Sequence, residues 1–220
     1  MEQDQRPINI IDPVQLLVEG KDPRNFFEKF IKHLGLTGVQ LQDFGGIGEL
    51  TRFLQGFVVA PRFGSVKSIG IVRDAERQTN DAPVQPGHTP ALSAFHSVQS
   101  SLRNARLPIP RRPAEEIGRP AVSVFILPGN RGDGMLETLL CETFADSAVD
   151  HCIDGFFSCT EAAGSPISRG DKARARAYLV TKPHPHVSVG VAAQKGYWDF
   201  EHGAFDGVRG FLEVLARGRP

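Results

Sequence analysis

Acidic side chains stand directly after three apolar, strand-like segments of this 220-residue chain. Each segment is short, aliphatic and bounded by turn residues, as expected of a buried strand. A carboxylate at the end of a buried strand costs free energy unless a cation or a hydrogen-bond network compensates it. The acids are Glu19 after LLV, Asp74 and Glu76 after SIGIV, and Asp133 and Glu137 after AVSVFILPG.

These acids predict a metal site. If the strands are parallel, their carboxyl ends share one edge of the sheet, and the acidic side chains converge there. Clustered carboxylate oxygens are the ligands that Mg²⁺ or Mn²⁺ requires, because these hard cations take oxygen donors. Any one of these acids alone is better explained as a helix cap or a solvated surface group, and only their combination favours a metal site. The predicted metal ligands are Glu19, Asp74, Glu76, Asp133 and Glu137.

Strand-like and helix-like segments alternate along the chain, which predicts the parallel arrangement. The stretch DPRNFFEKFIKHLGL is typical of a helix, with Asp22 placed to cap it. Beyond residue 145 the pattern is weaker: a mixed segment, DHCIDGFFSCTEAAGSP, precedes a basic helix and a last amphipathic helix. The predicted fold is α/β, a mostly parallel central sheet with helices on both faces, in a single domain with a helical C-terminal extension.

Composition limits the classes of function. The chain has 25 Lys plus Arg and 25 Asp plus Glu, so no overall field draws it to nucleic acid or to anionic lipid, and any basic groove must be local. The three cysteines form no CxxC pair, which argues against a disulfide scaffold or a zinc ribbon and favours a reducing, cytoplasmic location. Cys152 and Cys159 are expected in the core. No apolar run is long enough to predict a helix that crosses a bilayer, so no membrane partner is expected.

Two motifs carry a resemblance to a known family. The pair VEGKDP and IVRDAE, in that order, resembles the Toprim domain, the catalytic module of topoisomerases, primases and the overcoming-lysogenization-defect nucleases. The whole chain is similar to stand-alone Toprim-like bacterial proteins of the DUF3226 type, as FILPGNRGDGMLETLL and KGYWDFEHGAFDGVRGFLEVL also indicate. The resemblance implies a Toprim-like metal-binding core over residues 1–145 and a part, 146–220, that completes the same domain.

The resemblance also implies roles for the acids. Glu19 matches the family's glutamate, a general acid/base or metal ligand, and Asp74 matches the first aspartate of the Asp-x-Asp motif, which holds magnesium. Glu76 matches the second, although it is Glu where Asp is usual, and the longer side chain moves the carboxylate by one methylene. Glu137 resembles the further acid with which the nuclease branch binds a second ion.

The resulting hypothesis is a Mg²⁺-dependent nuclease that hydrolyses DNA or RNA. A basic partner for the phosphate is then needed, and Lys195, beside two aromatic residues in QKGYW, is the preferred candidate. A separate ATPase, as in some Toprim-containing defence systems, is a candidate partner, and homo-oligomerisation stays open. The segment DKARARAYLVTK offers further cations, namely Lys172, Arg174, Arg176 and Lys182.

Two alternatives remain open from the sequence. The first is a binding or regulatory module that keeps the magnesium site and acts with a partner protein, but cleaves weakly or not at all; Glu76 and the neutral net charge favour it. The second is a haloacid-dehalogenase-like phosphatase with Asp74 as nucleophile. That chemistry usually places its Asp-x-Asp motif after the first strand, whereas Asp74 follows the third, so the phosphatase fits less well.

Overall fold

Four parallel strands form the centre of the molecule. The computed structural model describes residues 8–46, 48–75, 89–168 and 170–218. The strands lie in the order β2-β1-β3-β4, and Val14 of β1 pairs with Val39 of β2 and with Ser68 of β3. The strands are β1 (Val14–Val18), β2 (Val39–Asp43), β3 (Ser68–Asp74) and β4 (Ala121–Leu127).

Helices cover both faces of this sheet. Alternate residues of β1 point to opposite faces, so that Leu16 and Val18 join one apolar cluster and Leu17 joins the other. On the Leu17 face lie α2 (Leu50–Val58) and α3 (Pro90–Asn104). On the other face lie α1 (Lys21–His33), α4 (Leu136–Glu142), α5 (Ala148–Ala162), α6 (Gly170–Val180), α7 (Val189–Gln194) and α8 (Asp206–Arg217). Short 3₁₀ turns occur at Phe63–Ser65 and Gly203–Phe205.

The predicted α/β class is therefore confirmed: one domain with a parallel sheet, helices on both faces and a helical C-terminal end. This layout agrees with what the Toprim resemblance implies. In the part of the chain that the structure describes, no helix has both the length and the apolar character needed to cross a bilayer.

Three local expectations were wrong. Helix α1 begins at Lys21, its N-cap is Gly20 with φ +88°, and Asp22 lies in the first turn without capping it. The mixed segment after residue 145 contains the 15-residue helix α5, which begins after Ser147, whose hydroxyl accepts from the Asp150 N–H at 3.2 Å. Much of α5 faces solvent, and Cys152 and Cys159 are exposed rather than core thiols.

Asp43, at the end of β2, shows how an acid at a strand end can be structural. Its Oδ1 accepts hydrogen bonds from the Gly20 and Gly45 N–H groups, both at 2.8 Å. Both glycines have φ +88°, a conformation that L side chains rarely adopt. Asp43 thus connects the turn after β1 to the turn after β2. This connection holds Glu19, the residue between β1 and Gly20, in place.

A close backbone approach joins α1 and α7, and it generates a stability prediction. A Cβ at Gly190 would lie 2.3 Å from the Asp22 carbonyl oxygen. We expect Gly190→Ala to lower the free energy of unfolding by about 2 kcal/mol or more, because the two helices must separate to accommodate the methyl group. Urea denaturation followed by circular dichroism measures the change.

Gly155 is the matched control because it also lies in a helix and a Cβ there would meet nothing within 4 Å. Gly155→Ala should raise the free energy of unfolding by about 0.5–1 kcal/mol through the lower entropy of the unfolded chain. Equal effects of the two substitutions would contradict the proposed contact.

Candidate functional site

Three of the predicted acids lie together at the carboxyl edge of the sheet. Glu19 follows β1, Asp74 is the last residue of β3, and Glu137 lies in the first turn of α4, after β4. Strand β3 lies between β1 and β4, so the three positions leave adjacent strands. The negative charges of both Glu137 and Glu19 act on Asp74. The sequence-based expectation that these acids converge is consistent with this placement.

Asp74 is the most perturbed carboxyl group of this cluster. Burial, and after it the negative charges of Glu137 and Glu19, raise the pKa of Asp74 from 3.8 to about 7. A hydrogen bond from the Leu136 N–H to Oδ1, at 3.0 Å, and the charge of Lys172 act in the opposite direction. Asp74 therefore bears a negative charge near neutral pH only at a cost in free energy.

Glu19 lies beside a buried cation. Its Oε2 is 3.6 Å from Nε of Arg73, and the two side chains are 16% and 6% exposed. Arg73 stands inside β3, next to Asp74, where its charge requires a counter-charge because it is almost fully removed from water. The Glu19 carboxylate thus compensates Arg73 as well as facing the other acids.

The start of α4 is held by a chain of hydrogen bonds that also positions α6. Thr138 Oγ1 accepts from the Met135 N–H at 3.0 Å and donates to Asp171 Oδ2 at 2.6 Å. Gly134, with φ +127°, precedes this turn, and a Cβ there would lie 2.8 Å from Thr138 Oγ1. Asp171 and Lys172 begin α6, so the same contact brings Lys172 toward Asp74.

Neither Asp133 nor Lys195 is among the groups whose charges act on Asp74. Asp133 is exposed, in the loop between β4 and α4. Glu76 lies outside the described residues. Lys195 is exposed at the C-terminal end of α7, and Lys172 is the lysine whose charge acts on Asp74. Sequence analysis named Lys172 among the candidate cations but preferred Lys195 as the basic partner for the phosphate.

Sequence reasoning missed Arg73 altogether. The available signal was a basic residue between the apolar run IGIV and Asp74, since a charged side chain inside a buried strand requires a partner.

Three of the four cations in the segment DKARARAYLVTK have separate local roles. Arg174 donates to Asp150 and Asp154 of α5, which holds the two helices together. Nη1 of Arg176 donates to the Val187 carbonyl at 2.9 Å, and Nζ of Lys182 lies 4.1 Å from the centre of the Tyr178 ring. Lys172 is therefore the α6 cation placed to act at the acidic cluster.

The cluster suits a hard divalent cation in its chemistry. Over the described residues, no three His, Cys, Asp or Glu side chains are arranged as a ready-made set of metal ligands. Mg²⁺ is usually held by one or two carboxylates together with water and substrate oxygens, so a complete protein cage is not required. Asp74, Glu137 and Glu19 supply oxygen donors and a mutual repulsion that a cation would relieve.

The raised pKa predicts a stabilising effect of Asp74→Asn on the metal-free protein. The folded protein binds a proton more tightly at Asp74 than the unfolded chain does, so the contribution of Asp74 to the stability of the wild type falls as pH rises from 3.8 to about 7. Asparagine keeps an oxygen for the Leu136 N–H and bears no charge. We expect Asp74→Asn to stabilise the protein at about pH 8, by roughly 1–2 kcal/mol more than at about pH 5.

Urea denaturation at the two pH values tests this expectation, with Asp43→Asn as the control. Asp43 lies at the neighbouring strand end, but it accepts two backbone hydrogen bonds, so loss of its charge should destabilise the protein. A destabilising Asp74→Asn would refute the repulsive cluster.

Glu19→Gln is expected to have the opposite sign. Removing the carboxylate charge leaves Arg73 nearly buried without its counter-charge, which should lower the free energy of unfolding by about 2–3 kcal/mol. The double substitution of Glu19→Gln with Arg73→Met should recover part of that loss, because the buried cation is then also removed. Thermal and urea denaturation measure both variants, and an unchanged stability of Glu19→Gln would contradict the pairing.

Comparison with known proteins gives a family. A solved structure described as "C-terminal region of the Xanthomonas campestris pv. campestris OLD protein phased with mercury" is similar to this chain, with 13% sequence identity and a TM-score of 0.38. The similarity covers 95% of this chain and 87% of that one. No curated protein matches the sequence significantly. The chain belongs to the family described as "Protein of unknown function (DUF3226)", which matches it over residues 13–217.

Proposed function

We propose that this protein is a nuclease that hydrolyses phosphodiester bonds of DNA or RNA with Mg²⁺ or Mn²⁺. The observation that carries the proposal is the convergence of Glu19, Asp74 and Glu137 at one edge of the sheet, where burial and the charges of Glu137 and Glu19 raise the pKa of Asp74. A cluster of this kind is unfavourable without a cation, and perturbed acids gathered at one site are typical of functional sites. The Toprim resemblance of VEGKDP and IVRDAE supports the same chemistry.

The residues that would hold the ion are Asp74 and Glu137, with Glu19 completing the set. Asp74 lies at the end of a central strand and Glu137 in the first turn of α4, so rigid elements carry both carboxylates. A bound divalent ion would polarise the phosphoryl oxygens and make a bound water more acidic. Glu76, the second acid of the predicted motif, remains a predicted ligand.

The remaining groups have roles that follow from their charges. Lys172 would pair with a non-bridging phosphate oxygen and so reduce the repulsion between the phosphate and the acids. A carboxylate oxygen of Glu19 would accept the proton of the attacking water, and Arg73 would orient that carboxylate. The hydrogen bond between Thr138 and Asp171 would hold α6, and with it Lys172, at the site.

A second function is favoured by the contact between Glu19 and Arg73. The carboxylate that would act as base already compensates a buried guanidinium, and that pairing limits its freedom to take up a proton. A module that binds metal and nucleic acid without cleaving, and that acts with a partner protein, would have this arrangement. Cleavage and binding must therefore be measured separately.

The test combines calorimetry of Mg²⁺ and Mn²⁺ binding with cleavage of plasmid DNA, single-stranded DNA and bulk RNA. We expect Asp74→Asn and Glu137→Gln each to weaken metal binding and to reduce cleavage by at least about 100-fold. Lys172→Ala should reduce cleavage while metal binding persists, since it contacts the phosphate. Glu142→Gln, an exposed acid on the same helix as Glu137, is the matched control and should retain activity.

The outcomes separate the candidate functions. Metal binding that depends on Asp74, with cleavage, supports the nuclease. The same binding without cleavage of any of the three substrates supports the non-cleaving module. No binding at millimolar metal would refute both, and the acids would then be structural.

A further inference from the structure

Basic side chains gather at the amino edge of the sheet, opposite the acidic cluster. Lys67 directly precedes β3, and Arg119 stands two residues before β4. These two strands are neighbours, and the Ala121 N–H donates to the Lys67 carbonyl at 2.8 Å, so the two cations leave adjacent strand starts. Adjacent strands are about 4.8 Å apart, which places Lys67 and Arg119 on one local surface.

The end of α3 adds cations to this surface. Helix α3 begins beside the loop at the carboxyl edge, where the Ala91 N–H donates to the Gly132 carbonyl at 2.9 Å. Its 15 residues span about 22 Å, which places Arg103 in its last turn at the other edge. Arg106 lies two residues after the end of α3.

The segment after α3 packs against itself so that Arg106 and Arg119 remain close. A Cβ at Gly118 would lie 2.3 Å from Cγ of Pro108, so the residues just before Arg119 contact those just after Arg106. The middle of the segment lies farther from this edge: the Ala114 N–H donates to the carbonyl of Val124, at the midpoint of β4, so Arg111 and Arg112 lie beside the middle of that strand. The amino-edge basic surface, as we define it, consists of Lys67, Arg103, Arg106 and Arg119, all exposed.

The positive charge of this surface is only partly offset. In the described part of the chain, none of its four side chains takes part in an ion pair. The acids Glu115 and Glu116 lie in the same mid-strand segment as Arg111 and Arg112, whose backbone N–H groups donate to Glu115, and Asp12 lies before β1. The surface therefore has a net positive charge.

At physiological salt concentration, the electrostatic field of one charged edge is screened before it reaches the other. A seven-residue strand is about 23 Å long, whereas the Debye length at physiological ionic strength is about 8 Å. The acids at the carboxyl edge thus do not cancel the field at the amino edge. A formal net charge of zero conceals a molecule with one acidic and one basic end.

We propose that the amino-edge basic surface binds the phosphodiester backbone of nucleic acid. Three of its four cations are arginine, whose planar guanidinium pairs with phosphate through two parallel hydrogen bonds. The acidic edge repels a polyanion, so affinity for nucleic acid must come from another part of the molecule. The choice of nucleic acid over an acidic protein rests on the proposed function. The existence of the basic surface does not depend on that function.

The test is fluorescence anisotropy with a labelled DNA duplex of about 30 base pairs in EDTA, between about 50 and 200 mM potassium chloride. Lys67→Ala with Arg119→Ala should reduce the affinity at about 100 mM salt by about tenfold or more, and should lower the slope of log K against log salt by about two. Lys29→Ala with Lys32→Ala, on α1 at the other face of the sheet, removes the same charge and should leave both quantities unchanged.

Further arms make the result decisive. Lys67→Arg with Arg119→Lys keeps the charge and should bind within about twofold of the wild type, whereas a purely conformational effect would not be rescued. Equal losses in the two alanine variants, or none, would overturn the proposal. Polyglutamate of matched charge that competes as well as DNA would overturn it in favour of an acidic protein. Because EDTA removes metal, failure of the nuclease proposal leaves this binding result intact.

Discussion

The parallel arrangement of the four strands is the constraint on which the rest of the structure depends. Each strand begins at one edge and ends at the other, so every strand-to-helix turn leaves from the same edge. Side chains that are distant in the sequence therefore meet there. The acids at that edge then differ in what surrounds them: Asp43 accepts two backbone hydrogen bonds, whereas Asp74 faces two like charges and accepts one.

This difference separates the acid that the fold alone explains from the acid that it does not. A carboxylate satisfied by N–H groups stabilises its turn, and the fold alone explains it. A carboxylate that is buried beside like charges destabilises the fold, and such groups are typical of sites where a ligand supplies the missing charge. Arg73 and Lys172 supply part of that charge within the chain. The acidic edge thus combines local destabilisation with cations held close by β3 and α6.

The same constraint explains why the neutral composition was a poor guide to the surface. Strand starts carry Lys67 and Arg119, strand ends carry Glu19 and Asp74, and parallel strands keep the two sets about one strand length apart. Charge counted over the whole chain cancels, while charge counted at either edge does not. A local field of this kind is what a polyanionic partner would meet on approach.

The sequence by itself determined the α/β class, the parallel sheet, the strand ends at which Glu19 and Asp74 lie, and the helix start that carries Glu137. It could do so because short apolar runs alternating with amphipathic segments are local patterns, and parallel topology then sends all strand ends to one edge. The family resemblance was also carried by short motifs within the chain, and the family match over residues 13–217 confirms the resemblance to the DUF3226 type.

Only the tertiary structure decided which cations accompany these acids. Arg73 reaches Glu19 across neighbouring strands, and Lys172 reaches the site because Thr138 on α4 contacts Asp171 on α6. Helix α5 and its exposed cysteines were likewise not evident, since that segment buries few residues and its periodicity is weak. Such contacts join segments that are far apart in the chain, and their geometry depends on packing that no local pattern encodes.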